Sequence, residues 1–526
     1  MEDNVTRIIK KFRLIVFSLI LITIWRKSES ILQRPIDPDW NTKGLEQIRS
    51  KENFYDVIIS GTSMSITNIN AEELYLNYGI ASSTIGEPEQ IAFLSYYSIK
   101  QALEYQKPKV ILLDIEAFLY SYDRQVELLM RDENYSGHYT IDNFTNFAIK
   151  HEAVKQLKQL KSDTDYWNYF SPMYYNHSNW ENISNNNFKS NQSEDIILGS
   201  KTLFGNYENV YDYKYIKMSD NTNDKTDMTE INLEYLYKIK DLCKEKDVDL
   251  ILLRSCGNSR WSWGEYNAIQ EIAETMEIEY LDMALYEQKI GFDWKVDSYD
   301  GRHHNAIGAK KWTDFIGTYL KQKYDFDDRR IDTNYHIFQK EKDRYENILS
   351  ALENRISLLK AINLNQYLDT LLNMEKEGNS IFIVINKEAT EYLKEENISC
   401  LKAIGIDIDL PKLEKQSFCG VLDDGKVIVV GNNRKQVFSG YLTDGTKFSI
   451  SNEDIEEAVN SSILINGNEY LQDNLGINIV VYNKKCNQIL SSVFFSTNDM
   501  ENPTTARKNI TGITELEKDI NCWIAN

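Results

Sequence analysis

Apolar runs and amphipathic stretches alternate between residues 54 and 325. Residues 56–60 read as a buried strand, 78–84 as a second short one, and 109–114 as an uninterrupted apolar run that starts behind Pro108. Such a run suits a strand covered on both faces. Leu233, Leu236, Ile239 and Leu242 fall at helical spacing and predict a helix over 231–245, which leads into a strand at 248–253. A helix at 266–276, a strand at 278–282 and a helix at 306–324 complete the series. Strands that alternate with helices imply a parallel sheet with right-handed crossovers, and ligands of such sheets sit at the carboxyl ends of the strands. Ser63, Gly86 and the 300–305 loop should all lie on that edge.

Between 119 and 228 the alternation fails. A helix near 143–160 and an Asn- and aromatic-rich loop at 166–188 read as an insertion overhanging the active edge. Residues 336–361 predict a charged helix, with Leu349, Leu352, Ile356 and Leu359 as its apolar positions, acting as a connector. Beyond 363 a second domain begins, with strands at 380–385, 426–430, 461–465 and 477–482 and helices near 388–404 and 453–459. The expected division is 1–30 as a membrane segment, 31–330 as an α/β domain with the insertion, 331–362 as connector, and 363–526 as a smaller α+β domain.

The net charge of -21 argues against nucleic acid as a partner, since polyanion binding needs basic patches. Six cysteines are scattered without ligand spacing, so neither a metal nor a cofactor is expected. Cys400 and Cys419 could pair in an oxidising compartment; independent thiols are the simpler reading. At the N-terminus, Arg7, Lys10, Lys11 and Arg13 precede an apolar run at 14–25, closed by Arg26 and Lys27. Twelve helical residues span about 18 Å, against ~30 Å of hydrocarbon. Snorkelling of the flanking bases can close the difference. A signal-anchor with the body outside is expected, and a basic amphipathic helix on the inner face is the alternative.

Candidate chemistry is concentrated at two places. Gly61-Thr62-Ser63-Met64-Ser65 puts a serine at the turn that leaves the first strand. Asp300-Gly301-Arg302-His303-His304 places a carboxylate three positions before a histidine, just ahead of a helix. A serine becomes a useful nucleophile with a base, and the base needs an orienting carboxylate. Ser63 is otherwise an ordinary helix cap. His304 is the alternative base, although the spacing from Asp300 favours His303. Gly86, after the second strand, either lends a backbone N–H to an oxyanion or serves the turn before Pro88. Asn258 either joins the oxyanion hole or shapes its loop. The aromatics of 166–188 either stack on sugar rings or pin the loop down.

The order of these blocks resembles an SGNH (GDSL-like) serine hydrolase. In particular the chain is similar to the SGNH hydrolase-type proteins of bacterial surface-polysaccharide acylation, related to the alginate O-acetylation proteins and the D-alanyl transfer protein of teichoic acids. The likeness covers about 54–322 and is carried by DVIISGTSMSITNIN (56–70), the stretch 95–116, NLEYLYKIKDLCKE (232–245) and the stretch 290–320. It implies a three-layer α/β/α fold, Ser63 as nucleophile, His303 as base, Asp300 as orienter, and Gly86 with the Ser63 N–H in the oxyanion hole. Two departures stand out. Thr62 and Met64 replace residues more usual around the serine, and the third strand ends in Leu113-Asp114-Ile115-Glu116 where an asparagine is expected. From about 372 the tail resembles the interleukin-like EMT inducer (FAM-type) domain, on 381–406 and 464–497, with the two pieces in swapped order. That domain is lectin-like, which implies glycan or partner binding and not catalysis; a structural appendage is the alternative.

Two functions follow. The first is a membrane-anchored, extracytoplasmic serine esterase or O-acyltransferase acting on a cell-surface polysaccharide, with the polymer, the membrane and a membrane-bound O-acyltransferase as partners. The second, to which the departures lend weight, is a catalytically silent glycan-binding or scaffold protein of an acylation machine.

Overall fold

Five short runs build a parallel sheet in the N-terminal part of the chain: β1 (Val57–Ser60), β2 (Ser82–Thr84), β3 (Val110–Asp114), β4 (Asp249–Arg254) and β5 (Glu279–Asp282). Their order across the sheet is β2-β1-β3-β4-β5, every neighbouring pair being parallel. The computed structural model describes residues 2–32, 44–130, 141, 143–160, 167–183, 196–206, 214–255, 261–390, 393–406, 417–431, 435–455, 458–473, 476–496 and 505–507. The chain divides into two units, Met1–Leu203 with Tyr207–Glu341, and Phe204–Asn206 with Lys342–Asn526. The protein is thus mixed α/β, a parallel-sheet unit plus a smaller unit of antiparallel sheets.

Alternation along each strand sorts side chains to two faces. Val57, Ile59, Val110, Leu112, Ile251 and Leu253 pack with Leu74 of the helix Ala71–Tyr78 and with Trp312, Ile316 and Leu320 of the helix Ala306–Lys323. Their neighbours Ile58, Ile111 and Leu252 are equally buried on the other face. The helices Ala92–Ala102 and Glu230–Glu245 meet each other through Phe93 and Tyr235, edge to face at 5.6 Å.

The strand expected at 78–84 is shorter than predicted. Tyr78 ends a helix whose cap, Gly79 (φ +66°), donates its N–H to Tyr75 O, and only Ser82–Thr84 is extended. The region expected as a loop at 166–188 contains the short helices Trp167–Phe170 and Pro172–Asn176 and a 3-10 stretch, His177–Asn182; residues 166 and 184–188 lie outside the described residues. The N-terminal helix, Glu2–Leu32, leaves its apolar side chains exposed, Leu14, Phe17, Leu19 and Trp25 among them, as an N-terminal anchor would. No helix among the described residues is long and apolar enough to cross a membrane.

In the second unit, a six-stranded antiparallel sheet has Phe382, Val384, Val421 and Val480 packed with Phe448, Ile450 and Ile463 of a four-stranded sheet. Its other face, with Ile383, Leu422 and Ile479, is covered by Leu364, Tyr367 and Leu368 of one helix and Leu401 of another. The helix expected at 453–459 is instead a pair of strands, Lys447–Ile455 and Ala458–Ile465, with Ile455 opposite Ala458. Phe448 and Ile450 recur with a period of two on the buried face, and that cross-strand ladder overrides the helical propensity of the acidic run. In place of the single helix expected at 388–404 are the helices Lys387–Thr390 and Glu395–Ile404; residues 391 and 392 lie outside the described residues. The expected connector is the helix His336–Lys360, and the unit boundary falls inside it. Its Ala351 and Leu358 belong to the core of the second unit. Cys400 and Cys419 are both free thiols.

Candidate active site

The loop that leaves β1 is shaped by what surrounds it. Gly61 has φ +141°, and a Cβ there would meet Asp114 Cβ at 2.6 Å and Asp114 O at 2.8 Å. Only glycine meets both demands. Thr62 then caps the short helix Ser63–Thr67: its Oγ1 accepts the Met64 N–H at 3.2 Å and donates to Asp114 Oδ2 at 2.5 Å. The Thr62 N–H reaches the same carboxylate oxygen at 3.0 Å. Ser63 is therefore the first helical residue, at the carboxyl end of β1, between its two neighbours β2 and β3. In a sheet of this order that is the point where the winding direction reverses and a crevice opens.

The second loop is equally determined. Asp300 Oδ1 accepts the N–H groups of Arg302 (2.9 Å) and His303 (2.7 Å), which closes a tight turn. Asn305 caps the following helix by accepting from Ile307 and Gly308. The turn presents His303 with Nδ1 at 2.7 Å from Asp300 Oδ2 and Nε2 at 2.8 Å from Ser63 Oγ. Burial by itself would raise the pKa of Asp300; the His303 charge and hydrogen bonds from His303 and Arg302 outweigh it and bring it to about 2. Asp300 is thus an anion facing the ring nitrogen of His303. This is the arrangement in which a carboxylate fixes the imidazole tautomer and an imidazole nitrogen can take a serine proton.

His304, the alternative base, is fully buried and points elsewhere. Its ring packs on Phe292 at 4.7 Å and Trp294 at 5.8 Å, and burial, with the neighbouring His303, depresses its pKa to about 3. Its backbone N–H donates to Asn68 Oδ1 at 2.9 Å, while Asn68 Nδ2 donates to Ser255 O and Oγ, both at 3.0 Å. Asn68 therefore ties three segments together: the Ser63 helix, the His303 loop and the residues after β4. Sequence reasoning passed over Asn68 and the role of Asp114, because each is defined by long-range partners. The Arg302 guanidinium, beside Tyr120, Glu116 and Asp300, stays charged although burial opposes it. Glu116 also faces Arg254 at 3.6 Å, and Arg254 pairs with Glu265 at 2.5 Å.

Gly86 lies against the same turn. A Cβ there would meet Ser65 Oγ at 2.1 Å and Gly61 O at 2.8 Å, so the position cannot carry a side chain without displacing the turn at 61–65. Asn258 lies outside the described residues. Part of the insertion also reaches this region. Leu198 O accepts from Thr84 N, Ser200 Oγ from Ala71 N, and Leu203 O from Ala306 N, so 196–203 laces the end of β2 to the two helices that flank Ser63 and His303. Trp167, Tyr174 and Trp180 of the aromatic segment are exposed. Among the described residues no group of His, Cys, Asp and Glu is arranged to hold a metal.

No family model matches the chain, and neither does any curated protein.

Proposed function

We propose that this chain is a membrane-anchored, extracytoplasmic serine esterase or O-acyltransferase of the SGNH type, acting on acyl esters of a cell-surface polysaccharide. The observation that carries this reading is the continuous relay Asp300–His303–Ser63, with both links at hydrogen-bond length. His303 Nε2 takes the Ser63 proton as Oγ attacks the acyl carbonyl, and Asp300 stabilises the imidazolium that forms. The proton then passes from His303 to the departing alkoxide, which leaves an acyl-Ser63 ester. Water or a sugar hydroxyl, deprotonated by His303, resolves that ester. The Ser63 N–H, at a helix N-terminus, and the Gly86 N–H are the proposed oxyanion donors.

The polysaccharide class rests on the resemblance of 54–322 to acylation proteins, and a glycan-binding role for the second unit rests on the resemblance from about 372. The outward orientation rests on the bases that precede the apolar run at 14–25. A fluorogenic acetyl ester and a serine-reactive phosphonate test the chemistry. Turnover and Ser63 labelling that both vanish in Ser63→Ala support the enzyme. A native protein that neither turns over nor labels points to the silent scaffold.

A further inference from the structure

We propose that Asp114, at the end of β3, is a positioning residue that holds the Ser63 turn through Thr62, so that its ionised form sets the reactive geometry. This deepens the esterase reading and rests on it for its kinetic arm. The acid that orients the turn comes from a neighbouring strand and not from the residue after Gly61, where Thr62 stands.

The geometry is unusually one-sided. Asp114 Oδ2 receives the Thr62 N–H at 3.0 Å and the Thr62 hydroxyl at 2.5 Å, while Oδ1 receives the Glu116 N–H at 3.2 Å. Both oxygens therefore face donors. A protonated carboxyl brings a donor of its own: on Oδ1 it faces the Glu116 N–H, and on Oδ2 it can be accepted only by the Thr62 hydroxyl, whose own proton then loses its acceptor. The side chain is 2 % exposed, so no solvent takes up the surplus donor. Thr62 Oγ1 in turn accepts the Met64 N–H, which sets the first turn of the helix that begins with Ser63. Gly61 packs on Asp114 itself, so the backbone has no room to shift toward the strand.

Burial pushes Asp114 up to about 6, although the Thr62 and Glu116 hydrogen bonds favour the anion; Glu116, the ionisable group that faces it, adds to the rise. Glu116 is itself faced by Arg254 from β4. As pH falls through that value the carboxyl takes up a proton and the turn loosens. His303 must also be neutral to accept the serine proton, so the acid limb of activity contains two protonations, and only one of them belongs to Asp114.

The experiment compares full-length native protein with Asp114→Asn, Thr62→Val and Thr62→Ser, by pH–rate profiles on an acetyl ester and by crystal structures. Asp114→Asn copies the neutral acid, so kcat should fall about 10–100-fold at pH 8 with KM unchanged, in keeping with a small misplacement of a reacting group. Its remaining acid limb should carry one proton where the native limb carries two. Thr62→Val removes a bond that favours the anion, so its acid limb should move to higher pH, and Thr62→Ser should restore the native profile. In the Asp114→Asn structure, Ser63 Oγ should leave hydrogen-bond distance of His303 Nε2. Native kcat and profile in Asp114→Asn, or an undisturbed Ser63 in its structure, overturn the proposal. If no form turns over any ester, the esterase reading fails, and the two structures still decide whether Asp114 tethers the turn.

Discussion

Ser63 Oγ and His303 Nε2 stand 2.8 Å apart although 240 positions separate them in the chain. Two turns, each stabilised by a carboxylate that accepts backbone N–H groups, bring them there: Asp114 on the serine side and Asp300 on the histidine side. The expected consequence is a sharp contrast between neighbouring histidines. His303→Ala should lower ester turnover by about 10²–10⁴-fold, the usual contribution of a general base. Asp300→Asn should also act on kcat, since it loses the charge that orients the His303 ring. A side chain at 304 that keeps the aromatic packing, such as His304→Phe, should retain most of the rate. Stopped rates on the same acetyl ester check all three, and a severe loss in His304→Phe with a mild one in His303→Ala would reverse the assignment.

Much of the parallel sheet was legible because its strands announce themselves. The strand Val110–Asp114 is apolar at successive positions from 110 to 113, and burial on both faces is what such a run requires. The Asp300–His303 spacing was legible for a similar reason, since the turn that joins them is local. The partners of Asp114, Thr62 and Asn68 were not. Each is a polar residue whose meaning comes from a contact tens or hundreds of positions away, and no periodicity marks it. The strands Lys447–Ile455 and Ala458–Ile465 were not legible, because Glu453, Glu456 and Glu457 favour helix locally, whereas Phe448 and Ile450 answer to the sheet they pack against. The helix at 336–360 was legible from its apolar stripe, whereas the core that takes in Ala351 and Leu358 has no local mark in the sequence.

Glu287 predicts a pH signature in stability. It is 1 % exposed, and burial pushes it up to about 8, against the hydrogen bond from Trp294 Nε1 at 3.0 Å. A carboxyl whose folded pKa lies above its unfolded value of about 4.3 contributes stability that is fully present below the unfolded value and lost as pH rises through the folded one. Glu287→Gln keeps an acceptor for Trp294 and has no proton to lose. Its melting temperature should therefore exceed that of the native protein at pH 8–9 and fall level with it near pH 4. Calorimetry at the two pH values checks this, and an equal difference at both would show that ionisation of Glu287 has no part in it.

The N-terminal helix predicts the cellular partition of the protein. Its apolar residues between Leu14 and Trp25 are exposed. Deletion of residues 1–32 should move the protein from the membrane fraction to the soluble one while ester turnover persists. In the native protein, a tag placed after residue 40 should be cut by protease added outside intact cells. Protection of that tag would place the body inside and favour the inner-face helix.

The first unit should need its chain beyond Asp328. Arg329 clamps Asp56 through Nη2 at 2.6 Å and Nε at 3.0 Å. Tyr335 stacks on Phe54 at 4.3 Å and donates its hydroxyl to Phe54 O at 3.0 Å. Phe338, fully buried, stacks on Tyr75 at 4.5 Å. A chain that stops at Asp328 uncovers Phe54 and Tyr75 and leaves Asp56 without its guanidinium. Removal of one buried phenylalanine alone typically costs about 3–5 kcal/mol, a large share of the stability of any domain. A chain ending after Glu341 should melt cooperatively and keep ester turnover, whereas one ending after Asp328 should melt at a much lower temperature or aggregate. Phe338→Ala in the full chain isolates the packing from the truncation: it should lower the melting temperature of the first unit and leave KM for the small ester unchanged. Equal melting of the two truncated chains would mean that residues 329–341 only rest on the unit and do not help to hold it together.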